Sequence, residues 1–170
     1  MTLRATGLYG GPVAGLDLEL GPGLTVVTGE PECGTSTLLR LLAGDQRPEQ
    51  GTVDGSTVAF LSSPPGDEWA AHDVAQHALE APHLIGRELW TLSGGERQRV
   101  RLATLLAQDG GVLLLDEPLG LLDERGRDQA LAALKRDGRP VLIACKSDPK
   151  ALEVADRVLT LANGTVTSLT

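Results

Sequence analysis

The chain has 170 residues, of which 15 are Lys or Arg and 23 are Asp or Glu, and its formal net charge at pH 7 is −8. This acidic balance disfavours general binding to nucleic acid or to an anionic membrane surface. Only 2% of the residues are aromatic, which argues against a stacking platform for single-stranded nucleic acid or sugars. A hydrophobic fraction of 41% suffices for a core, so one globular domain over residues 1–170 is expected.

The sequence has no apolar segment of the roughly 20 residues that cross a bilayer, and its first residues lack the apolar stretch of a signal peptide. We therefore expect a cytoplasmic protein without direct membrane insertion. The two cysteines, Cys33 and Cys145, form neither a disulfide framework nor a metal-ligand pair. His72 and His77 are five positions apart, so on a helix they point in different directions, and surface positions are expected for both.

Short apolar runs alternate with helical patterns along the chain, which predicts the α/β fold class. The predicted strands are Thr2–Leu8, Leu16–Leu20, Leu24–Thr28, Val58–Ser62, Val112–Asp116, Val141–Cys145 and Val158–Leu161. The runs LTVVT, VLLLD and VLIAC are apolar throughout, which indicates strands of a parallel sheet buried on both faces. The predicted helices are 36–44, 70–81, a helix after Ser93 that starts with a capping box to Glu96, 124–135 and 150–155.

The segment GEPECGTST, residues 29–37, follows a predicted strand and opens a predicted helix, which is the context of a phosphate-binding loop. In the pattern G-x-x-x-x-G-K-[ST], Gly29, Gly34 and Ser36 match, but Thr35 stands at the lysine position. That lysine is the group that reaches the β- and γ-phosphates. Taken alone, the segment is better interpreted as a glycine-rich turn from strand to helix.

The segment TLSGGERQRVRLATLLAQDGGVLLLDEP, residues 91–118, carries a more specific resemblance. LSGGERQRV resembles the signature motif of the ATP-binding cassette (ABC) proteins, and VLLLDEP resembles their Walker B strand, in the same order. LLDE at 121–124 resembles the D-loop, and ADRVLTLANGTV at 155–166 resembles the last strand and turn of the family. The resemblance implies a P-loop NTPase of the RecA-like ABC type, with a parallel central sheet, an antiparallel β subdomain and a shortened helical subdomain at about 64–108.

The resemblance also implies ATP and Mg²⁺ as ligands. Asp116 and Glu117 would be the catalytic carboxylates, with Glu117 polarising the attacking water, and Ser36 and Asp116 would hold Mg²⁺. The residues implied to bind nucleotide are Tyr9, Gly29, Glu32, Cys33, Gly34, Thr35, Ser36, Thr37, Ser63, Ser93, Gly94, Gly95, Lys146 and Ser147. Of these, the Ser93–Gly95 segment would contact the nucleotide of a second cassette paired head to tail, whereas Tyr9 would stack on adenine or serve only in packing.

The departures from the family pattern lie around the γ-phosphate. Pro31, Glu32 and Thr35 replace Ser, Gly and Lys of the frequent P-loop spelling. The Q-loop glutamine position falls at Ser63, and the switch histidine falls at Lys146 or Ser147. Lys146 is the candidate to replace the missing positive charge, with a solvated loop residue as the alternative.

Two functions remain open at this point. The first is an ATPase subunit, in a homo- or heterodimer, that couples ATP binding and hydrolysis to a separate membrane permease. The permease would hold this subunit at the inner face of the membrane. The second is a hydrolysis-deficient cassette that acts as a nucleotide-binding or regulatory partner in a heterodimer, and a truncated copy without a function of its own is its extreme form. A cassette acting on DNA is disfavoured by the acidic charge.

Overall fold

The computed structural model describes residues 1–61, 79, 82–84, 87–146 and 148–168. Two compact units are present: Met1–Ser62 with Gly110–Glu117 and Gly138–Thr170, and Ser63–Asp109 with Pro118–Asp137. Except for Leu79, the helix predicted at 70–81, with His72 and His77, lies outside the described residues, as do Ser63 and Ser147. Within the described ranges, no helix is long and apolar enough to cross a bilayer.

The helices and strands follow the predicted alternation. In chain order the strands are β1 (Leu3–Gly10), β2 (Val13–Leu20), β3 (Gly23–Thr28), β4 (Gln50–Asp54), β5 (Thr57–Leu61), β6 (Val112–Asp116), β7 (Pro140–Ala144), β8 (Arg157–Ala162) and β9 (Thr165–Ser168), and the helices are α1 (Thr35–Ala43), α2 (Gly94–Leu106), α3 (Glu124–Asp137) and α4 (Pro149–Val154). The sheet of the first unit has the order β5-β6-β7-β3-β8-β9 and is parallel except for the pair β8–β9. Strand β7 lies between β6 and β3.

The three central strands are buried on both faces, as their uninterrupted apolar sequences predict. Their side chains join those of α1, whose Leu38, Leu39, Leu41 and Leu42 are all buried. Helix α1 ends at Gly44, which adopts φ 79°, and the glycine therefore permits the left-handed turn that stops the helix. The end of α1 thus follows from the sequence, and its start is fixed by the loop before it.

A second, antiparallel sheet of the first unit has the order β2-β1-β4. Buried and exposed residues alternate along β1 and β2, as expected for a sheet with one solvated face. Strand β4 has the polar sequence QGTVD and is not among the predicted strands. It forms because Gly51 allows a close approach: a methyl group at that position would overlap the carbonyl oxygen of Gly7 on β1.

Strand β9 is also missing from the predicted strands. It pairs with β8 through the two-residue turn Asn163–Gly164, where both residues have positive φ, 51° and 77°. Asn-Gly is the preferred sequence of this tight hairpin turn. The dipeptide in ANGTV is therefore the signal from which β9 could have been predicted.

Among its described residues, the second unit contains α2, α3 and two short 3₁₀ turns, Pro82–Leu84 and Leu89–Thr91. Helix α2 begins with the predicted capping box, which is confirmed: Glu96 N donates to Ser93 Oγ, and Ser93 N donates to Glu96 Oε2. The buried side chain of Gln98 donates through Nε2 to the carbonyl oxygen of Pro118 at 2.8 Å. That hydrogen bond holds the segment before α3 against α2.

Candidate functional site

The candidate site of the first unit lies at the edge of the sheet where three parallel strands end. Asp116 of β6 is level with Ala144 of β7, which is in turn level with Val27 of β3. The P-loop follows β3, Glu117 follows β6, and Lys146 follows β7 after one intervening residue. Because the carboxyl ends of parallel strands share one edge, these three segments meet there, which is where open α/β sheets bind ligands.

Two glycines shape the P-loop. A methyl group at Gly29 would come within 2.5 Å of both Cys33 Sγ and the carbonyl oxygen of Leu161. Gly34 has φ 103°, and a methyl group there would overlap the ring of Pro12 in the turn between β1 and β2. Gly29 is therefore required for space, and Gly34 is required both for space and for its backbone conformation.

The P-loop leads directly into the N-terminus of α1. Gly34 is the N-cap residue and has no side chain to accept the first amide groups, and no acidic residue stands in the first turn. The N–H groups of the first turn, from Thr35 to Thr37, are left to a ligand, and the helix dipole favours an anion there. A cavity of about 270 Å³ lies against this helix start and is lined by Pro12, Gly29, Glu30, Pro31, Glu32, Gly34, Thr35, Ser36, Thr37, Cys145 and Lys146.

Glu32 adopts an unusual backbone conformation inside this loop. Its φ is 67°, in the left-handed region that favours glycine. A left-handed conformation costs an L-residue roughly 1–2 kcal/mol relative to its usual conformations. The family pattern has glycine here, so the substitution adds both backbone strain and a negative charge to the cavity.

Lys146 is tied by its main chain to the strand that precedes the P-loop and to the end of β6. The hydroxyl of Thr28 donates to the carbonyl oxygen of Lys146 at 2.8 Å, and Cys145 N donates to the carbonyl oxygen of Val27 at 3.1 Å. Lys146 N in turn donates to Glu117 Oε1 at 3.1 Å. Glu117 is exposed and has φ 47°. The hydrogen bond from Lys146 N holds its carboxylate at the sheet edge.

The two cysteines follow β3 and β7 and therefore lie at the same sheet edge. Both are free thiols; Cys33 is half-buried and Cys145 is buried. Burial raises the pKa of the Cys145 thiol to about 11, with Glu117 and Asp148 adding to the rise. Cys145 is therefore a neutral, apolar part of the cavity wall.

Tyr9 lies on β1 and is 40% exposed. Its ring lies over Gly15 of β2, where a methyl group would come within 2.7 Å of the phenolic oxygen. The described residues that line the P-loop cavity do not include Tyr9. Packing against Gly15 is thus observed, while stacking on adenine stays a prediction.

The second unit carries the signature segment at the N-terminus of α2. Glu96 closes the capping box and also accepts from Arg87 Nη1 at 3.3 Å. The hydrogen bond from the main-chain N–H of Ser93 is the main cause that lowers the pKa of Glu96. This fixes the backbone of Ser93 at the start of the glycine pair.

Gly95 and Asp123 bring the D-loop segment against α2 within the second unit. A methyl group at Gly95 would come within 2.9 Å of the carbonyl oxygen of Leu121. Asp123 Oδ1 accepts from Gly126 N at 2.9 Å and from Arg99 Nη2 at 2.8 Å, and these bonds lower the pKa of Asp123. A cavity of about 460 Å³ beside them is lined by His83, Ser93, Gly95, Glu96, Arg99, Leu121, Leu122 and Asp123.

The residues present fit a phosphate chain at the start of α1. The glycines at 29 and 34 leave the cradle open, and the first-turn amides of α1 supply the donors. Hydroxyl and carboxylate oxygens such as those of Ser36 and Asp116 are ligands that Mg²⁺ prefers, together with phosphate oxygens and water. Among the described residues, no group of three or more His, Cys, Asp or Glu side chains could hold a metal ion by itself.

Ten of the predicted site residues fall into two groups, whereas Tyr9, Cys33, Asp116 and Glu117 are not among the described residues that line either cavity. One cavity of the first unit brings together Gly29, Glu32, Gly34, Thr35, Ser36, Thr37 and Lys146. Ser93 and Gly95 line the cavity of the second unit, and Gly94 lies beside Leu121. Sequence reasoning missed Pro12 and Thr28, although the Gly-Gly-Pro turn before β2 was a visible signal for the former.

Comparisons with known proteins agree with these motifs. The family model described as ABC transporter matches residues 63–120. The aliphatic sulfonates import ATP-binding protein SsuB 1 of Pseudomonas fluorescens is 38% identical over 176 residues, covering 89% of this chain and 68% of that protein. The phosphonates import ATP-binding protein PhnC 1 of Natronomonas pharaonis is 34% identical, covering 88% of this chain and 82% of that protein.

The fold is also that of solved structures. A dimeric bacterial ABC transporter cassette superposes with a TM-score of 0.81 at 17% identity, covering 99% of each chain. At that identity the likeness establishes the fold, and the α/β architecture predicted from the motifs is confirmed.

Proposed function

The chain belongs to the ATP-binding subunits of ABC transporters, and from this premise we propose that it binds ATP in the P-loop cavity and hydrolyses it to ADP and phosphate. One observation supports the proposal above all. The P-loop, the Asp116–Glu117 pair and Lys146 follow three neighbouring strands that end at the same level. A fold alone does not specify chemistry, but this edge holds the donors and carboxylates that phosphoryl transfer needs.

Each group has a defined task. The N–H groups of Thr35, Ser36 and Thr37 donate to phosphate oxygens, helped by the dipole of α1. The Ser36 hydroxyl and the Asp116 carboxylate would hold Mg²⁺, which would supply positive charge against the phosphate oxygens. Glu117 orients the attacking water and accepts its proton while the bond from the water oxygen to the γ-phosphorus forms and the bond to the β–γ bridging oxygen breaks.

The second unit has a task in trans. We assign its segment at about 64–108 as the helical subdomain of a single 1–170 cassette, whose Ser93, Gly94 and Gly95 contact the nucleotide held by a second cassette. The capping box supports this assignment because it fixes the main chain of Ser93 and does not use the N–H groups of Gly94 and Gly95 in the first turn of α2. Those N–H groups are the ones that would donate to a phosphate oxygen. A dimer, of two identical or two different cassettes, is the working form.

The proposed partner is a separate transmembrane permease, which would hold the cassette at the inner face of the membrane. The two relatives are named for different cargoes, aliphatic sulfonates and phosphonates. We therefore assign the choice of cargo to the permease rather than to the cassette.

Thr35 favours a second candidate function. With threonine at the lysine position and Glu32 at a glycine position on the cavity wall, the site has lost a cation and gained one carboxylate. In this alternative the chain binds nucleotide, lends its signature segment to a competent partner cassette and hydrolyses little ATP itself.

Titration calorimetry with Mg-ATP combined with a turnover assay tests both functions. For the ATPase, Glu117→Gln should lower turnover at least about 100-fold, the usual size of a general-base contribution, and leave ATP affinity unchanged. The matched control is Glu153→Gln, an exposed carboxylate on α4 away from the cavity, which should change neither quantity. ATP binding without turnover supports the second candidate, and a wild-type chain that binds no ATP contradicts both.

A further inference from the structure

The P-loop cavity lacks the positive charge that its phosphate ligand calls for. Thr35 stands where the pattern has lysine, and the charged residues contributed by the loop itself are Glu30 and Glu32. A nucleoside triphosphate adds several negative charges of its own. Since like charges repel strongly where water is partly excluded, a cation besides Mg²⁺ is needed near the terminal phosphate.

Lys146 is the positively charged residue among the described residues that line this cavity. Its side chain is exposed and makes no ion pair with any residue in the described ranges. The ammonium group sits at the end of a flexible four-carbon stem with three donors, and it is free to turn toward a ligand.

The position of Lys146 is nevertheless fixed at its main chain. The hydroxyl of Thr28, the residue directly before Gly29, donates to the carbonyl oxygen of Lys146 at 2.8 Å. Its N–H is bonded to Glu117 Oε1 at 3.1 Å. These two bonds anchor Lys146 between the start of the P-loop and the end of β6, so the stem starts from a defined point on the cavity wall.

We propose that the ammonium group of Lys146 replaces the missing P-loop lysine and pairs with the γ-phosphate of ATP in this cavity. The inference rests on the proposed function, because it assumes that ATP binds at the start of α1. Bound ATP can make this contact, whereas ADP cannot because it has no γ-phosphate. Lys146 is therefore the residue that lets this cassette distinguish the two nucleotides.

Titration calorimetry with Mg-ATP and Mg-ADP tests whether Lys146 takes the role of the missing lysine. Four proteins are compared: wild type, Lys146→Ala, Thr35→Lys and the double variant. Loss of one hydrogen bond to a charged group corresponds to about a tenfold loss of affinity. Lys146→Ala should lower the affinity for ATP by about tenfold and the affinity for ADP by less than about threefold. In the Thr35→Lys background, where the lysine of the pattern is restored, Lys146→Ala should lower the affinity for ATP by less than about threefold.

Two controls separate charge from structure. Lys146→Arg keeps the charge and should retain most of the ATP affinity, while Lys150→Ala removes the same charge four residues further along, outside the cavity lining, and should change neither affinity. Three results would overturn the proposed role of Lys146: equal losses of ATP and ADP affinity, no loss of affinity in Lys146→Ala, or the same loss of ATP affinity with and without Thr35→Lys. In each case, ATP binding by the wild type would still support the proposed function. A wild-type chain that binds no ATP overturns the proposed function, and with it the proposed role of Lys146.

Discussion

The carboxylate of Glu117 accepts a 3.1 Å hydrogen bond from the main-chain N–H of Lys146. The proposed proton acceptor and the proposed cation are thus joined through one residue of the segment after β7. A change in the main chain at Lys146 would move the carboxylate, whereas a change in its side chain alone would leave that hydrogen bond intact. Side-chain variants of Lys146 therefore report on charge, without displacing Glu117.

Gly34→Ala should destabilise the fold and abolish nucleotide binding. The new methyl group would overlap the Pro12 ring, and alanine would be forced to φ 103°. We expect a loss of about 2–4 kcal/mol in the free energy of unfolding, measured by urea denaturation.

Gly21→Ala is the matched control, because a methyl group there meets nothing within 4 Å. Alanine at such a position should leave the free energy of unfolding unchanged or raise it by up to about 1 kcal/mol. A loss of more than about 0.5 kcal/mol in that control would contradict the steric account.

Glu32→Gly should relieve backbone strain and remove a charge from the cavity, whereas Glu32→Gln removes only the charge. Glycine adopts φ 67° freely, although it costs about 0.5–1 kcal/mol of chain entropy against a left-handed cost of about 1–2 kcal/mol for glutamate. The glycine variant should therefore be the more stable of the two by about 0.5–1 kcal/mol in urea denaturation.

Both Glu32 variants should bind ATP more tightly than wild type, and the gain should shrink at high salt because it is electrostatic. Calorimetry at two salt concentrations measures this. A gain confined to the glycine variant would show that backbone strain, rather than charge, limits the site.

The two thiols should differ in reactivity at pH 8. With its pKa raised to about 11, Cys145 is in the thiolate form at only about one part in a thousand, and it is also buried. A thiol reagent should therefore label one cysteine in the native chain, Cys33, and two after unfolding. Mass spectrometry of the labelled chain identifies the site, and rapid native labelling in a Cys33→Ser variant would contradict the prediction.

Asp123→Asn should destabilise the protein at pH 7 more than at pH 3. The Gly126 N–H and then the Arg99 guanidinium lower the pKa of Asp123 in the folded chain, so the ionised carboxylate favours folding above its unfolded pKa of about 3.9. That contribution is lost as the pH falls through the lower, folded pKa. The melting temperature of the variant should approach that of wild type at pH 3.

Gly21→Ala, which changes no titratable group, provides the reference for the pH experiment and should differ from wild type equally at both pH values. A difference between Asp123→Asn and wild type that stays the same at pH 7 and pH 3 would show that the bonds to Gly126 and Arg99 do not depend on the charge of Asp123.

Much of the fold could be predicted from local signals. The apolar runs of β3, β6 and β7 indicated a parallel sheet because only strands covered on both faces lack polar alternation. The capping box at Ser93 and the glycine at position 44 marked helix ends through local backbone chemistry. Strand β4 was missed because its pairing depends on the space that Gly51 leaves for β1, which no local pattern records.

The sequence by itself determined the family motifs, the absence of lysine at position 35 and the carboxylates that flank it, since each is a matter of residue type and spacing. The resemblance implied Lys146 only as one of two positions for the switch histidine. Tertiary structure decided that Lys146 shares a cavity with the P-loop, because the Thr28–Lys146 bond joins positions 118 apart in the chain and exists only if β7 lies beside β3. It also decided that Pro12 closes over Gly34 and that Glu32 is left-handed. Contacts of this kind depend on strand order and on the path of a loop, which the free energy of the whole fold selects rather than any one segment.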